Sequence, residues 1–102
     1  MDELIAKFLP RFETLARERL RRAAECASSR KHELAEDIAH DLHSLAGEAG
    51  LLGLEGVTTT ARTAEQAARR FGDTREEDDA NGLGECLVEL ERALADAMAD
   101  RP

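Results

Sequence analysis

Residues 34–52 read LAEDIAHDLHSLAGEAGLL, and this stretch decides the fold. Its apolar residues Leu34, Ile38, Leu42, Leu45, Ala49 and Leu52 recur at steps of four, four, three, four and three. Such steps follow the turn of an α-helix and draw one stripe along it, as the seam of a helix bundle requires. The spacing predicts a helix from about Arg30 to Leu52. On the N-terminal side, Phe12, Leu15, Ala16, Leu20, Ala23 and Ala27 form a similar stripe that ends near Ser28-Ser29. Pro10 suits the first turn of that helix, where a missing N–H costs nothing, so a short separate helix from Asp2 to Leu9 is expected before it. On the C-terminal side, Leu54, Val57, Ala61, Ala64, Ala68 and Phe71 repeat the rhythm, and Gly72 reads as a helix cap. Asp73 to Asn81 reads as a polar connection, with Thr74-x-x-Glu77 a candidate capping box. Leu83, Leu87, Leu90, Leu94 and Ala97 mark the last helix, whose first turn Gly82 and Gly84 weaken.

Four long amphipathic helices on short connections predict an all-α fold: an antiparallel four-helix bundle with a short extra N-terminal helix. The length of 102 residues fits one domain over residues 1–102. Composition agrees. The only aromatics are 3 Phe, and β-branched residues are few, so the core must be Leu and Ala, which suit helices rather than a sandwich or barrel. The formal net charge of −8 argues against nucleic acid, which needs a basic footprint, and against an anionic membrane surface. The opening MDELIAKFLPRF has early acids and no apolar core of signal-peptide length, and no run is long enough to span a membrane. Cys26 and Cys86 show no CxxC spacing, so two reduced thiols and a cytoplasmic location are expected.

The third predicted helix carries a second face that the bundle does not explain. At about 100° per residue, the seam centres about 145° from His43, so the imidazole points to solvent. On the same side lie Glu36 at about 20°, Gly47 at about 40°, His40 at about 60°, Gly50 at about −20° and Ala46 at about −60°. A glycine inside a helix costs about 1 kcal/mol relative to alanine. Two of them beside an exposed histidine leave a bare strip along which another molecule can approach the ring; close packing against a neighbouring helix is the structural alternative.

His43-Ser44-Leu45-Ala46-Gly47-Glu48-Ala49-Gly50-Leu51-Leu52-Gly53 resembles the motif of histidine-containing phosphotransfer (HPt) domains, His-x-Leu-Lys-Gly-x-Ala-x-x-x-Gly. His43, Leu45, Gly47, Ala49 and Gly53 match it, and length and helix order are similar over nearly the whole chain. Glu65 falls near where family members often carry Leu-Glu. The resemblance implies that His43 is the phosphoryl-accepting residue and that Ala46, Gly47, Gly50 and His40 surround the binding face. It also implies receiver domains of a hybrid histidine kinase and of a response regulator as partners. Those partners would bring the phospho-aspartate, an acidic pocket, Mg²⁺ and a lysine, while this chain would hold no cofactor. The motif's frequent Lys is Ala46 here, which removes a cation from beside the phosphate; Arg62 or Arg69 on the next helix is the candidate replacement. An imidazole titrates near neutrality, so its neutral, nucleophilic form is available for this chemistry.

Other readings stay open at this level. His40-x-x-His43 with Glu36 has the spacing of metal ligands on one helix face, but a zinc site usually needs a third or fourth ligand with supporting hydrogen bonds, and no Cys is near in sequence. Gly47, Gly50, Gly53 and Gly56 are followed by no Gly-Lys-Ser/Thr, so there is no phosphate-binding loop and no autonomous kinase. The dimerising helix of sensor kinases usually has an acid after its histidine and a proline soon after, and Ser44-Leu45-Ala46 has neither. A stand-alone monomeric phosphoryl carrier is therefore expected, with a non-phosphorylated helical adaptor or a metal-binding bundle as rivals.

Overall fold

The computed structural model describes residues 3–99. Four helices follow one another: α1 (Glu3–Ser28), α2 (Ala35–Leu51), α3 (Glu55–Thr74) and α4 (Glu77–Ala99), with a 3-10 turn at His32–Leu34. There is no strand among the described residues. Each helix packs on its two neighbours, and none of the described helices meets the diagonal one. With connections this short, consecutive helices run antiparallel around a single core. The expected all-α bundle is therefore present. No helix among the described residues is long and apolar enough to cross a membrane.

The predicted seams fill the core. Ile38, Leu42, Leu45 and Ala49 of α2 belong to one buried cluster with Val57, Ala61, Ala64, Ala68 and Phe71 of α3 and with Leu83, Leu87, Leu90 and Leu94 of α4. Small alanines on α2 and α3 let these two helices approach closely and so set the floor on which the site rests. Two ion pairs fix α1 against α2: Arg19 to Glu48 at 2.8 Å and Arg22 to Asp41 at 3.1 Å.

Several boundaries differ from the sequence reading. Pro10 does not separate a short helix from a long one; α1 runs through it without interruption. The apolar stripe Leu9, Phe12, Ala16 continues across the proline into the core, whereas Pro10 and Ala6 are exposed, so water can serve the carbonyl that loses its partner. Leu15 and Leu34 lie outside the core, because the flanking residues Phe12, Ala16, Ala35 and Ile38 already occupy it. The helix expected from Arg30 begins only at Ala35, after Arg30 turns the chain with φ 56°.

Gly72 is not a cap. It sits inside α3, where an added Cβ would lie 3.1 Å from the Cβ of Ala35, so its role is to admit the start of α2. The cap falls to Arg75 at φ 59°. The connection shrinks from Asp73–Asn81 to two residues, and Thr74 accepts a hydrogen bond from Glu76 N rather than capping α4 as a box. At the other turn, Gly53 (φ 76°) donates its N–H to Gly50 O, and Leu54 donates to Ala49 O. This is a Schellman closure, which favours glycine at the left-handed position and turns the chain from α2 into α3.

Candidate phosphoryl-accepting site

His43 stands in the middle of α2, its side chain 70% exposed. Leu42 and Leu45 on the opposite side are wholly buried, so the backbone under the ring is held by the core. The ring is anchored from α3: Nδ1 lies 3.2 Å from Oε1 of Glu65. An ionised carboxylate only accepts, so in the neutral ring the proton belongs on Nδ1 and is donated to Glu65. Nε2 is then the unprotonated nitrogen, with its lone pair directed away from α3. One hydrogen bond thus selects the tautomer and fixes the orientation of the nucleophile.

Glu65 is itself held. Its side chain is only 14% exposed, and its second oxygen, Oε2, accepts from Arg69 Nη2 at 2.8 Å and Nε at 3.2 Å. Burial pushes its carboxyl up, but the hydrogen bonds from Arg69 and His43 outweigh this and leave it below the usual carboxylate range. Glu65 is therefore an anion at neutral pH.

The other expected site residues divide. Gly47 is exposed, and a Cβ there would meet nothing within 4 Å. Gly50 is exposed too, with only Thr58 Oγ1 at 3.8 Å from such a Cβ. The strip beside His43 is bare, and the close-packing alternative does not describe these two glycines; it describes Gly72. His40 is exposed one turn before His43, with no polar partner among the described residues. Ala46 departs from expectation. It is 2% exposed, because its flank of α2 turns into the α2–α3 seam. It belongs to the floor of the site and presents no surface to a phosphate. No three His, Cys, Asp or Glu side chains among the described residues come together in a way that would hold a metal ion.

The Glu65–Arg69 pair is what the sequence showed least. The sequence points to Glu65 through the resemblance and to Arg69 as one of two candidate cations, but for their pairing the local signal is only the i, i+4 spacing of opposite charges on one helix, which is common on exposed faces. What gives it meaning is the antiparallel register of α2 and α3, which sets Glu65 opposite His43.

An imidazole so anchored can accept an electrophilic group on Nε2. Comparison with curated proteins and with solved structures returned no match. A family model described as Hpt domain matches residues 3–100 of the 102-residue chain. That match runs through all four helices and through the stretch from His43 to Gly53, so this chain belongs to the Hpt domain family.

Proposed function

We propose that the protein carries phosphoryl groups between receiver domains of a two-component relay, with His43 as the accepting residue. The observation that supports this best is the pairing of an exposed Nε2 with an Nδ1–H committed to Glu65. Attack by the Nε2 lone pair forms a P–N bond. The acyl-phosphate P–O bond of a receiver's phospho-aspartate breaks, and its carboxylate leaves. The reverse reaction on a second receiver returns the ring. Phosphoryl transfer of this type is largely positioning and charge neutralisation, and the receiver would contribute the Mg²⁺ and the lysine. This chain contributes a fixed nucleophile.

The surface around His43 suits such a partner. Leu51 is 85% exposed and lies about 80° round α2 from His43, two turns on, along the same outer face. The register set by the Arg19–Glu48 and Arg22–Asp41 pairs brings exposed Leu15 level with it, and exposed Phe8 and Leu4 continue the same row of α1. A large apolar side chain is left so exposed only where something covers it or its cost is small. We assign this row and the bare strip to the docking of a receiver domain, in a cytoplasmic relay, by a monomer.

Incubation with a phosphorylated receiver domain tests the proposal. Acid-labile phosphate should appear on this chain as the receiver loses it. A complex that forms without any transfer of label would instead establish the adaptor reading.

A further inference from the structure

Glu65 solves one problem and creates another. It orients His43, but it sets an anion against a ring that, on the reading above, comes to carry a phosphoryl group of nearly two negative charges. Close negative charges in a half-buried site repel, so a positive charge has to enter the arrangement. Ala46 is buried and neutral. The choice lies between Arg62 and Arg69, the two arginines of α3 on the solvent side of the α2–α3 seam.

Side-chain direction decides between them. Helical side chains lean toward the N-terminus of their own helix. Because α2 and α3 are antiparallel, the ring of His43 leans toward the level of Arg69, and Arg69 leans back toward Glu65. Arg62 lies one turn nearer the start of α3 and leans away from the ring. The contacts agree, since Arg69 grips Glu65 through Nε and Nη2, while Arg62 makes no ion pair or hydrogen bond among the described residues. That grip leaves Nη1 and one hydrogen of Nη2 free on a side chain that is half exposed.

We propose that Arg69 is the phosphoryl-binding residue of the site: held by Glu65 Oε2, it presents its free guanidinium edge to a phosphoryl group on His43 Nε2. The charges then alternate around a closed circuit: guanidinium, carboxylate, Nδ1-protonated ring, phosphoryl, and back to the guanidinium. The inference rests on the phosphotransfer reading of His43, and a small donor separates the two. With the zwitterion of phosphoramidate, Nε2 forms the new P–N bond, the donor's own P–N bond breaks, and ammonia leaves. The proton on Nδ1 stays with the ring and its bond to Glu65.

The experiment loads the full chain with phosphoramidate and follows phosphohistidine by ³¹P NMR, for wild type, Arg69→Gln, Arg69→Lys and Arg62→Gln. Arg69→Gln should lower the steady phosphohistidine level by about two- to fivefold, as expected for a partly screened charge contact. Arg69→Lys should restore most of the loss, and Arg62→Gln should match wild type. The deficit of Arg69→Gln should shrink in high salt, which a purely structural defect would not do. Adding Glu65→Gln to Arg69→Gln removes the unbalanced anion and should recover part of the level. Arg69→Gln at the wild-type level, or a larger loss in Arg62→Gln, overturns the inference while leaving the proposed carrier function standing. Loading by phosphoramidate without any exchange with phosphorylated receivers overturns the carrier function and leaves the assignment of Arg69 tested.

Discussion

Gly47→Ala is expected to make the protein more stable and less active. Gly47 lies within α2, about 40° round from His43 and one turn on, and a Cβ there meets nothing within 4 Å. The substitution therefore gains helix propensity with no steric charge against it, about 1 kcal/mol. That is about a fivefold shift in the folding equilibrium, or a rise in melting temperature of about 4–8 °C for a domain of this size. The same methyl stands on the strip assigned to the partner. If a receiver packs there as closely as a protein interior, one added methyl costs about 1–3 kcal/mol of the docked state. Transfer from a phosphorylated receiver should then fall between about fivefold and a hundredfold. Phosphoramidate is small and needs no such strip, so loading by it should be unchanged. The assay pairs a thermal melt with single-turnover transfer from both donors. A higher melting temperature with unaltered receiver transfer would refute the docking face. A lower melting temperature would refute the open environment of Gly47.

The contrasting glycine gives the opposite sign: Gly72→Ala drives a Cβ to 3.1 Å from Ala35, and crowding should exceed the propensity gain by about 1 kcal/mol, read as a lower urea midpoint. Ala46→Lys should destabilise by about 1–3 kcal/mol, because the side chain must leave a buried position in the α2–α3 seam; an unchanged melting temperature would show that the seam has room. Glu65 adds a pH dependence. Against the effect of burial, its carboxyl is held below the usual carboxylate range by Arg69 and His43, so its contribution to stability is present above that range and is lost as pH falls through the lower folded value. Glu65→Gln should therefore lose less stability than wild type as pH falls from neutrality through and below the usual carboxylate range, measured by urea midpoints at each pH. Equal losses would mean that Arg69 and His43 do not favour the ionised form.

Much of this could be read from the chain because the deciding signals are periodic. Ile38, Leu42, Leu45 and Ala49 recur at helical spacing, and the side opposite such a stripe must face water, which puts His43 outside the core. The misread boundaries all involve residues whose local preference yields to packing. Pro10 favours a helix start, yet the stripe from Leu9 to Ala16 carries α1 across it. Gly72 favours a helix end, yet it serves close contact with Ala35, a residue far away in sequence. Ala46 departs from its wheel position for a related reason. Wheel angles locate a residue on its own helix, but the neighbour's position decides whether a flank at about −60° is solvent or seam. Glu65 is legible only through its place near the family's Leu-Glu, and Arg69 only as one of two candidate cations beside Arg62. Their bearing on His43 depends on a register between helices that no local spacing states.

The central claim is that His43 Nε2 takes the phosphoryl group, and residue-specific mapping tests it most directly. Wild type, His43→Gln and His40→Gln are each incubated with a phosphorylated receiver domain, and acid-labile phosphate on this chain is measured and located. Both variants should keep the helical fold, since both rings are exposed on α2. The account predicts full labelling of His40→Gln, none of His43→Gln, and phosphate on His43 in wild type. Label that persists in His43→Gln and vanishes from His40→Gln would contradict it.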